Sequence, residues 1–285
     1  MLGPNIETFI GCEADFESCD IVMFGAPYDS TTSFRPGARF ASAAIRHESF
    51  GIETYSPYQD KDLLDYKIFD SGDIELPFGN QQESLNLLKE RAKIILDAGK
   101  LPFMIGGEHL VSYAPISEVF KKYPDLHIIQ FDAHADLRDD YLGNKLSHAC
   151  VMRRSYELVS DAHIHQFCIR SGEREEFMFA KEHTDMHKFN FDGLNELCDK
   201  LIKDNTPVYL TIDLDCLDSG IFPGTGTPEA GGVSFNELLN AMIKVGKCNV
   251  VGADVNELAP NLDTSGMSTA VACKVVRELL LALAK

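Results

Sequence analysis

Seven short apolar runs constrain this chain more than any other feature. They fall at 21–27, 66–74, 101–107, 126–134, 164–170, 207–215 and 249–258, with a weaker eighth at 184–190. Several are unbroken stretches of Val, Ile, Leu and Phe with no polar alternation, the pattern of strands buried on both faces of a parallel sheet. Helical segments lie between them. One spans 38–49. A second, 84–99, is amphipathic and closes on Gly99, a residue suited to the left-handed position after a helix. A third, 234–246, opens with Ser234 and carries Glu237 three residues on, a capping box. The last, 265–284, closes the sequence. Strand–helix alternation implies right-handed crossovers and a three-layer α/β/α sandwich. No repeat, low-complexity tract or linker interrupts it, so one domain is expected over 1–285.

Charge narrows the function classes. The formal net charge is −18 and the pI about 4.8. Such a surface repels nucleic acid and anionic lipid but tolerates a small cation. Eight cysteines occur without a C-x-x-C pair. They read as reduced thiols of a cytoplasmic protein rather than as a disulfide framework. Residues 1–20 are acidic and lack the basic and apolar regions of a signal peptide. No run of 18 apolar residues suggests a membrane span.

Parallel sheets bind ligands at the carboxyl ends of their strands, and these ends are unusually polar here. The run at 101–107 leads into GGEH, ending at His109. The next ends in FDAHAD, with Asp132, His134 and Asp136 at alternate positions. A later one ends in TIDLDCLD, with Asp213 and Asp215 alternate and Asp218 following. Extended backbone would aim each alternate set to one side. A single His or D-x-D at such a place is commonly a cap or a turn. Four clustered carboxylates repel one another and call for cations. Four carboxylates with two imidazoles form an oxygen-rich set that suits Mn²⁺. Six ligands exceed the needs of one ion with an open position. Two ions about 3.5–4 Å apart, sharing carboxylates, fit better. With a hydroxide added, such a site carries a charge of about −1, which favours a cationic substrate over a phosphate ester.

GGEH, DAHAD, DLDCLD and PGTGTPEAGG, in that order, resemble the ureohydrolase family of arginases and agmatinases. The resemblance extends from FGAPYDSTTSFRPGARFASAAIR to DVNELAP, nearly the whole chain. FGAPYDS, RPGAR and PGTGTPE are most like bacterial and archaeal agmatinases. The resemblance implies an eight-stranded, mostly parallel sheet between helices and a binuclear manganese centre. It implies that His109 and Asp136 bind one ion, His134 and Asp215 the other, and that Asp132 and Asp213 bridge both. It implies hydrolysis of a guanidinium compound to urea and an amine, with Asp136 also carrying a proton to the leaving amine. His148, in KLSHAC, matches the family's proton-shuttle histidine. Glu257, in DVNEL, matches the carboxylate that binds the guanidinium, and Thr227 lines the same pocket. Family members form trimers or hexamers.

Agmatine, hydrolysed to putrescine, is the expected substrate, because an ammonium needs no donors at its outer end. In IRSGEREE (169–176), Glu173 is a candidate for that ammonium. Glu229 is another. Ser171 and Arg174 are possible donors to a carboxylate. A guanidinobutyrase, arginase or formimidoylglutamase is the alternative, and the DLR ending of DAHADLR is shared with the last. A metallophosphoesterase would need a G-N-H-[DE] element, which is absent. A non-catalytic binding protein on the same scaffold would be marked by loss of a ligand, and all six are present.

Overall fold

The unbroken apolar runs do pair side by side. The computed structural model describes residues 7–285, so the first six residues of the N-terminal stretch discussed above lie outside it. Among the described residues, the strands are β1 (Ile21–Gly25), a small antiparallel hairpin of β2 (Tyr55–Ser56) and β3 (Lys61–Asp62), β4 (Ile68–Asp73), β5 (Leu101–Ile105), β6 (His127–Phe131), β7 (Ile164–Ile169), β8 (Asp185–Lys188), β9 (Pro207–Asp213) and β10 (Asn249–Asn256). All but the hairpin join one eight-stranded sheet in the order β4-β1-β5-β10-β9-β6-β7-β8. Every ladder in it is parallel. The weak eighth run is the edge strand β8, whose residues are half-buried or exposed. The inner strands are almost wholly buried, which explains their lack of alternation.

Helices cover both faces. On one lie α1 (Ala41–Ser49), α6 (Leu194–Asp204), α7 (Phe235–Val245) and α8 (Met267–Leu283). On the other lie α2 (Gln81–Asp97), α3 (Tyr113–Lys122), α4 (Val151–Val159) and α5 (Arg174–His183). The sandwich expected from the alternation is the architecture found. Ser234 caps α7 and exchanges hydrogen bonds with Glu237 as the capping box requires. Gly99 follows α2 at φ 74°. The 84–99 helix starts earlier than its apolar pattern, at Gln81, because Asn80 accepts from the Glu83 N–H and caps it. The segment 38–49 begins as a 3₁₀ turn at Ala38–Phe40 before α1.

All eight cysteines are buried and unpaired. Among the described residues, no helix is long and apolar enough to cross a membrane.

One buried ion pair joins α1 to the edge of the sheet. Arg46 donates from Nε to Asp70 Oδ2 at 2.8 Å and from Nη2 to Asp70 Oδ1 at 3.0 Å, and it also contacts Asp73. Asp70 in turn accepts from the Phe9 and Gly72 N–H groups. Both partners are almost fully buried, so removing one leaves the other's charge dry and uncompensated. Arg46→Met should therefore lower the unfolding free energy by about 3–5 kcal/mol. Equilibrium urea unfolding measures this, and a loss below 1 kcal/mol would show that the pair is not the anchor of this edge.

Candidate metal and substrate site

The polar strand ends converge beyond the carboxyl edge of β5, β6, β9 and β10. The route differs from strand alternation. Strand β6 ends at Phe131, so Asp132, His134 and Asp136 lie past the ladder. Asp132 Oδ1 accepts the His134 N–H at 2.6 Å, which turns the chain. Asp136 then adopts φ 54°, a left-handed conformation uncommon outside glycine. His109 likewise lies past the end of β5 and opens a 3₁₀ turn, His109–Ser112. Asp213 closes β9, and its Oδ1 accepts the Asp215 N–H at 2.9 Å as a second 3₁₀ turn begins. Turns, not extended backbone, bring the six side chains together.

The resulting distances are short. His109 Nδ1 lies 2.9 Å from Asp132 Oδ2, 3.0 Å from Asp136 Oδ2 and 3.5 Å from Asp213 Oδ2. His134 Nδ1 lies 2.9 Å from Asp215 Oδ2 and 3.6 Å from Asp132 Oδ1. Two triplets, His109–Asp132–Asp213 and Asp132–His134–Asp215, each have ligand atoms within 4.8 Å of one another, and they share Asp132. Despite this crowding, His109 Nδ1 and Asp215 Oδ2 are buried without a hydrogen-bond partner of adequate geometry. Lone pairs aimed at a common point rather than at donors are the mark of a cation site. The donor set fits two hard divalent ions.

Electrostatics agree. Burial, reinforced by Asp215 and Asp132, pushes the Asp213 carboxyl well above the usual range. Burial and the Asp132 charge push Asp136 up. Burial works against charge on His109, yet Asp132 and Asp136 outweigh it and hold the imidazole well above its ordinary value. These are the responses of an excess of negative charge with no cation among it.

Buried polar residues behind the cluster orient it, and the sequence reading missed them. Thr211 Oγ1 donates to Asp254 Oδ1 at 2.6 Å and lies 2.8 Å from His109 Nε2. With its one proton given to Asp254, Thr211 must accept from His109 Nε2–H, which leaves Nδ1 as the ring nitrogen that faces the carboxylates and can exchange its proton for a metal ion. Asp254 is itself held by Tyr209 and Asn256 at 2.6 Å each. On the other side, Gln130 donates to Asp132 Oδ2 at 2.7 Å and accepts from Gln166 at 2.6 Å. The available signal was a polar residue inside an otherwise apolar strand.

A cavity of about 250 Å³ opens above the cluster, and its lining includes His134, Asp136, His148 and Thr227. His148 begins a 3₁₀ turn ahead of α4. Its N–H donates to Thr31 Oγ1 at 3.0 Å, and its Nε2 lies 3.2 Å from Ser33 Oγ. Burial, with the nearby His134, lowers it to about 4, so it is neutral at pH 7. Glu257 lies deeper, at φ 67°, with Oε1 accepting the His109 N–H at 2.7 Å, and is not part of the cavity lining. Burial, with Glu108 beside it, raises Glu257 well above the usual range. Glu173 lines the cavity, but its Oε1 is 3.0 Å from Arg138 Nη1, so its charge is already matched. Glu229 accepts from Ser171 Oγ at 2.8 Å and lies 4.0 Å from His134 Nε2. Asp218 stays outside and pins the 218–232 loop through the Gly220, Gly231 and Gly232 N–H groups. Arg174, Glu175 and Glu176 are not loop residues: they form the first turn of α5. A larger cleft of about 600 Å³ at the amino ends of the strands holds none of the converging groups.

Comparison with known proteins gives one consistent result. The arginase family model matches residues 19–282. The agmatinase of Bacillus subtilis is 47% identical over 282 residues, which cover 98% of this chain and 97% of that protein. A Clostridium difficile crystal structure superposes with a TM-score of 0.92 at 46% identity, covering 95% of this chain and 99% of that one. The agmatine ureohydrolase of Thermoplasma volcanium superposes with a TM-score of 0.88 at 28% identity, covering 98% and 94%.

The hydrogen bond from His109 to Thr211 makes a specific demand. Thr211→Val keeps the shape but removes the acceptor that fixes the His109 ring. Titration calorimetry with Mn²⁺ should show binding weakened by about 10–100-fold. An unchanged affinity would mean that the ring needs no such support.

Proposed function

This chain belongs to the arginase family, and from that premise we propose that it is a two-manganese ureohydrolase that converts agmatine and water to putrescine and urea. The observation that carries the reading is the pair of ligand triplets sharing Asp132, with buried lone pairs left free of hydrogen bonds. Near-full-length identity to an agmatinase supports the substrate.

In this reading His109 and Asp136 would hold one ion, His134 and Asp215 the other, and Asp132 and Asp213 would serve both. Two such ions would supply a water of lowered pKa and Lewis-acid polarisation of the guanidinium. The chain's own residues do the rest. Asp136, at the cavity floor, takes the water's proton and passes it toward the departing amine. His148, neutral at pH 7 and held between Thr31 and Ser33, exchanges the water's other proton with solvent. Thr227 binds the guanidinium from the cavity wall, and Glu257, which lies deeper, meets it as a carboxylate that the arriving cation would help to ionise. Excess carboxylate around the cavity favours a cation over a neutral or anionic substrate. Residues 1–285 act as one domain, in a cytoplasmic homo-oligomer, a trimer or hexamer.

Two measurements test this. Reconstituted protein should bind about two Mn²⁺ per chain by elemental analysis. In the same buffer, kcat/KM should be higher for agmatine than for arginine or 4-guanidinobutyrate. Faster turnover of either carboxylate-bearing compound would overturn the substrate while leaving the chemistry. Separately, His148→Ala should retain both ions and lose turnover by about 10²–10⁴-fold, as expected for a proton-transfer group. Loss of the ions from that variant would mean that His148 belongs to the ligand set.

A further inference from the structure

The outer end of the cavity carries one guanidinium group, and it is already occupied. Among the described residues, Arg138 is the only Lys or Arg in the lining of the cavity above the metal-ligand cluster. Together with Glu173 and Glu176 it also lines an adjoining recess of about 290 Å³. Its Nη1 is 3.0 Å from Glu173 Oε1, and its Nε is 3.6 Å from Glu176 Oε2. Its guanidinium carbon stands 4.5 Å from the centroid of the Tyr141 ring. Glu176 cannot turn away. Its Oε1 accepts the Leu137 N–H at 2.9 Å and its Oε2 the Glu173 N–H at 2.7 Å, and the side chain is buried. Glu173 precedes the first turn of α5 and is more than half exposed, so it is the partner able to release Arg138.

An arginine at the end of a substrate cavity is a strong selector, because its planar fork binds a carboxylate through two hydrogen bonds. Free, Arg138 would favour a guanidino acid. Matched by two carboxylates, it presents a group of three charges with a net negative sign. That group favours a chain ending in an ammonium and leaves a terminal carboxylate without a free cationic partner in the cavity lining. We propose that Arg138 and Glu173 are the specificity-determining pair of this site: Glu173 selects amine-ended substrates by holding Arg138, not by binding the ammonium alone. The inference rests on the ureohydrolase reading above and names what sets its substrate class.

The test compares wild type, Glu173→Gln, Arg138→Gln and the double variant in one Mn²⁺ buffer. Glu173→Gln keeps the side chain's length and frees Arg138. It should raise the ratio of kcat/KM for 4-guanidinobutyrate to that for agmatine by about tenfold. Arg138→Gln should not raise it, and the double variant should return to the ratio of Arg138→Gln. Inhibition constants report the same subsite without turnover: 4-aminobutyrate should gain on putrescine only in Glu173→Gln. Where that variant loses α5, Glu173→Ser, with a capping hydroxyl, supplies the same comparison. An unchanged ratio in the Glu173 variant, or an equal rise in the double variant, overturns the proposal. A wild type that releases no urea from agmatine instead sinks the ureohydrolase reading, and the inhibition arm still reads the pair.

Discussion

Repulsion among buried carboxylates is the constraint on which this structure turns. Asp132, Asp136, Asp213 and Asp215 are all buried where β6 and β9 end. At a separation of about 4 Å and an effective dielectric of about 20, each like-charged pair costs about 4 kcal/mol. The protein opposes this in two ways. It places two imidazoles among the acids, and it feeds backbone N–H groups into them: Ala133 and His134 donate into Asp215 and Asp132, and Asp215 into Asp213. The elevated carboxyl of Asp213 and imidazole of His109 show that this compensation is incomplete without cations. The need for metal is thus written into the folded chain as an imbalance of charge.

That imbalance also explains why the centre of the sheet is polar. Gln130, Gln166, Thr211, Asp254 and Asn256 are fully or almost fully buried within strands. Each would be costly alone; Gln166 is tied to Gln130, and Thr211, Asp254 and Asn256 are tied to one another. The same logic holds the loop above the cavity. Glu108, next to His109, is fully buried; it accepts the Thr31 N–H at 2.6 Å and also bonds the Thr31 hydroxyl. Burial raises it to about 7. Arg35 donates to Thr225 O at 2.7 Å, closing the same loop against the 225–227 turn. Gly107 makes the contact possible, since a Cβ there would lie 1.9 Å from Tyr28 O. Ser33 and Thr31 therefore reach His148 because a buried acid beside a ligand holds their loop.

The architecture and the six converging residues were legible because each leaves a local signature. Unbroken apolar runs declare buried strands, and acids clustered at their ends declare a charge that needs a partner. The geometry was less legible. Alternation along 132–136 singled out side chains that do converge, but by a different route, since the chain has left the strand by then and Asp136 sits at φ 54°. A left-handed aspartate or, at Glu257, a left-handed glutamate has no sequence signal, because tertiary contacts impose it. Thr211 and Asp254 read as strand residues because hydrogen bonding across strands is invisible along one of them. Four helices, α3 to α6, were not singled out, although α3, α4 and α6 are amphipathic and α5 opens with a Glu173–Glu176 capping box.

The outer end of the cavity shows the same limit most sharply. Counting charges along 171–176 gives three acids against one base, and hence a preference for an ammonium. Folding redistributes those groups. Arg174 lines neither recess, and Glu176 is buried with its oxygens on backbone N–H groups and beside Arg138. The base that matters, Arg138, comes from a different strand end and stands against Glu173. The sign of the local charge survives this exchange, but its origin does not. A preference carried by free acids would be insensitive to any single neutralisation. One carried by a masked arginine reverses when the mask is removed, so substrate choice here is controlled by a contact between two side chains 35 residues apart in sequence.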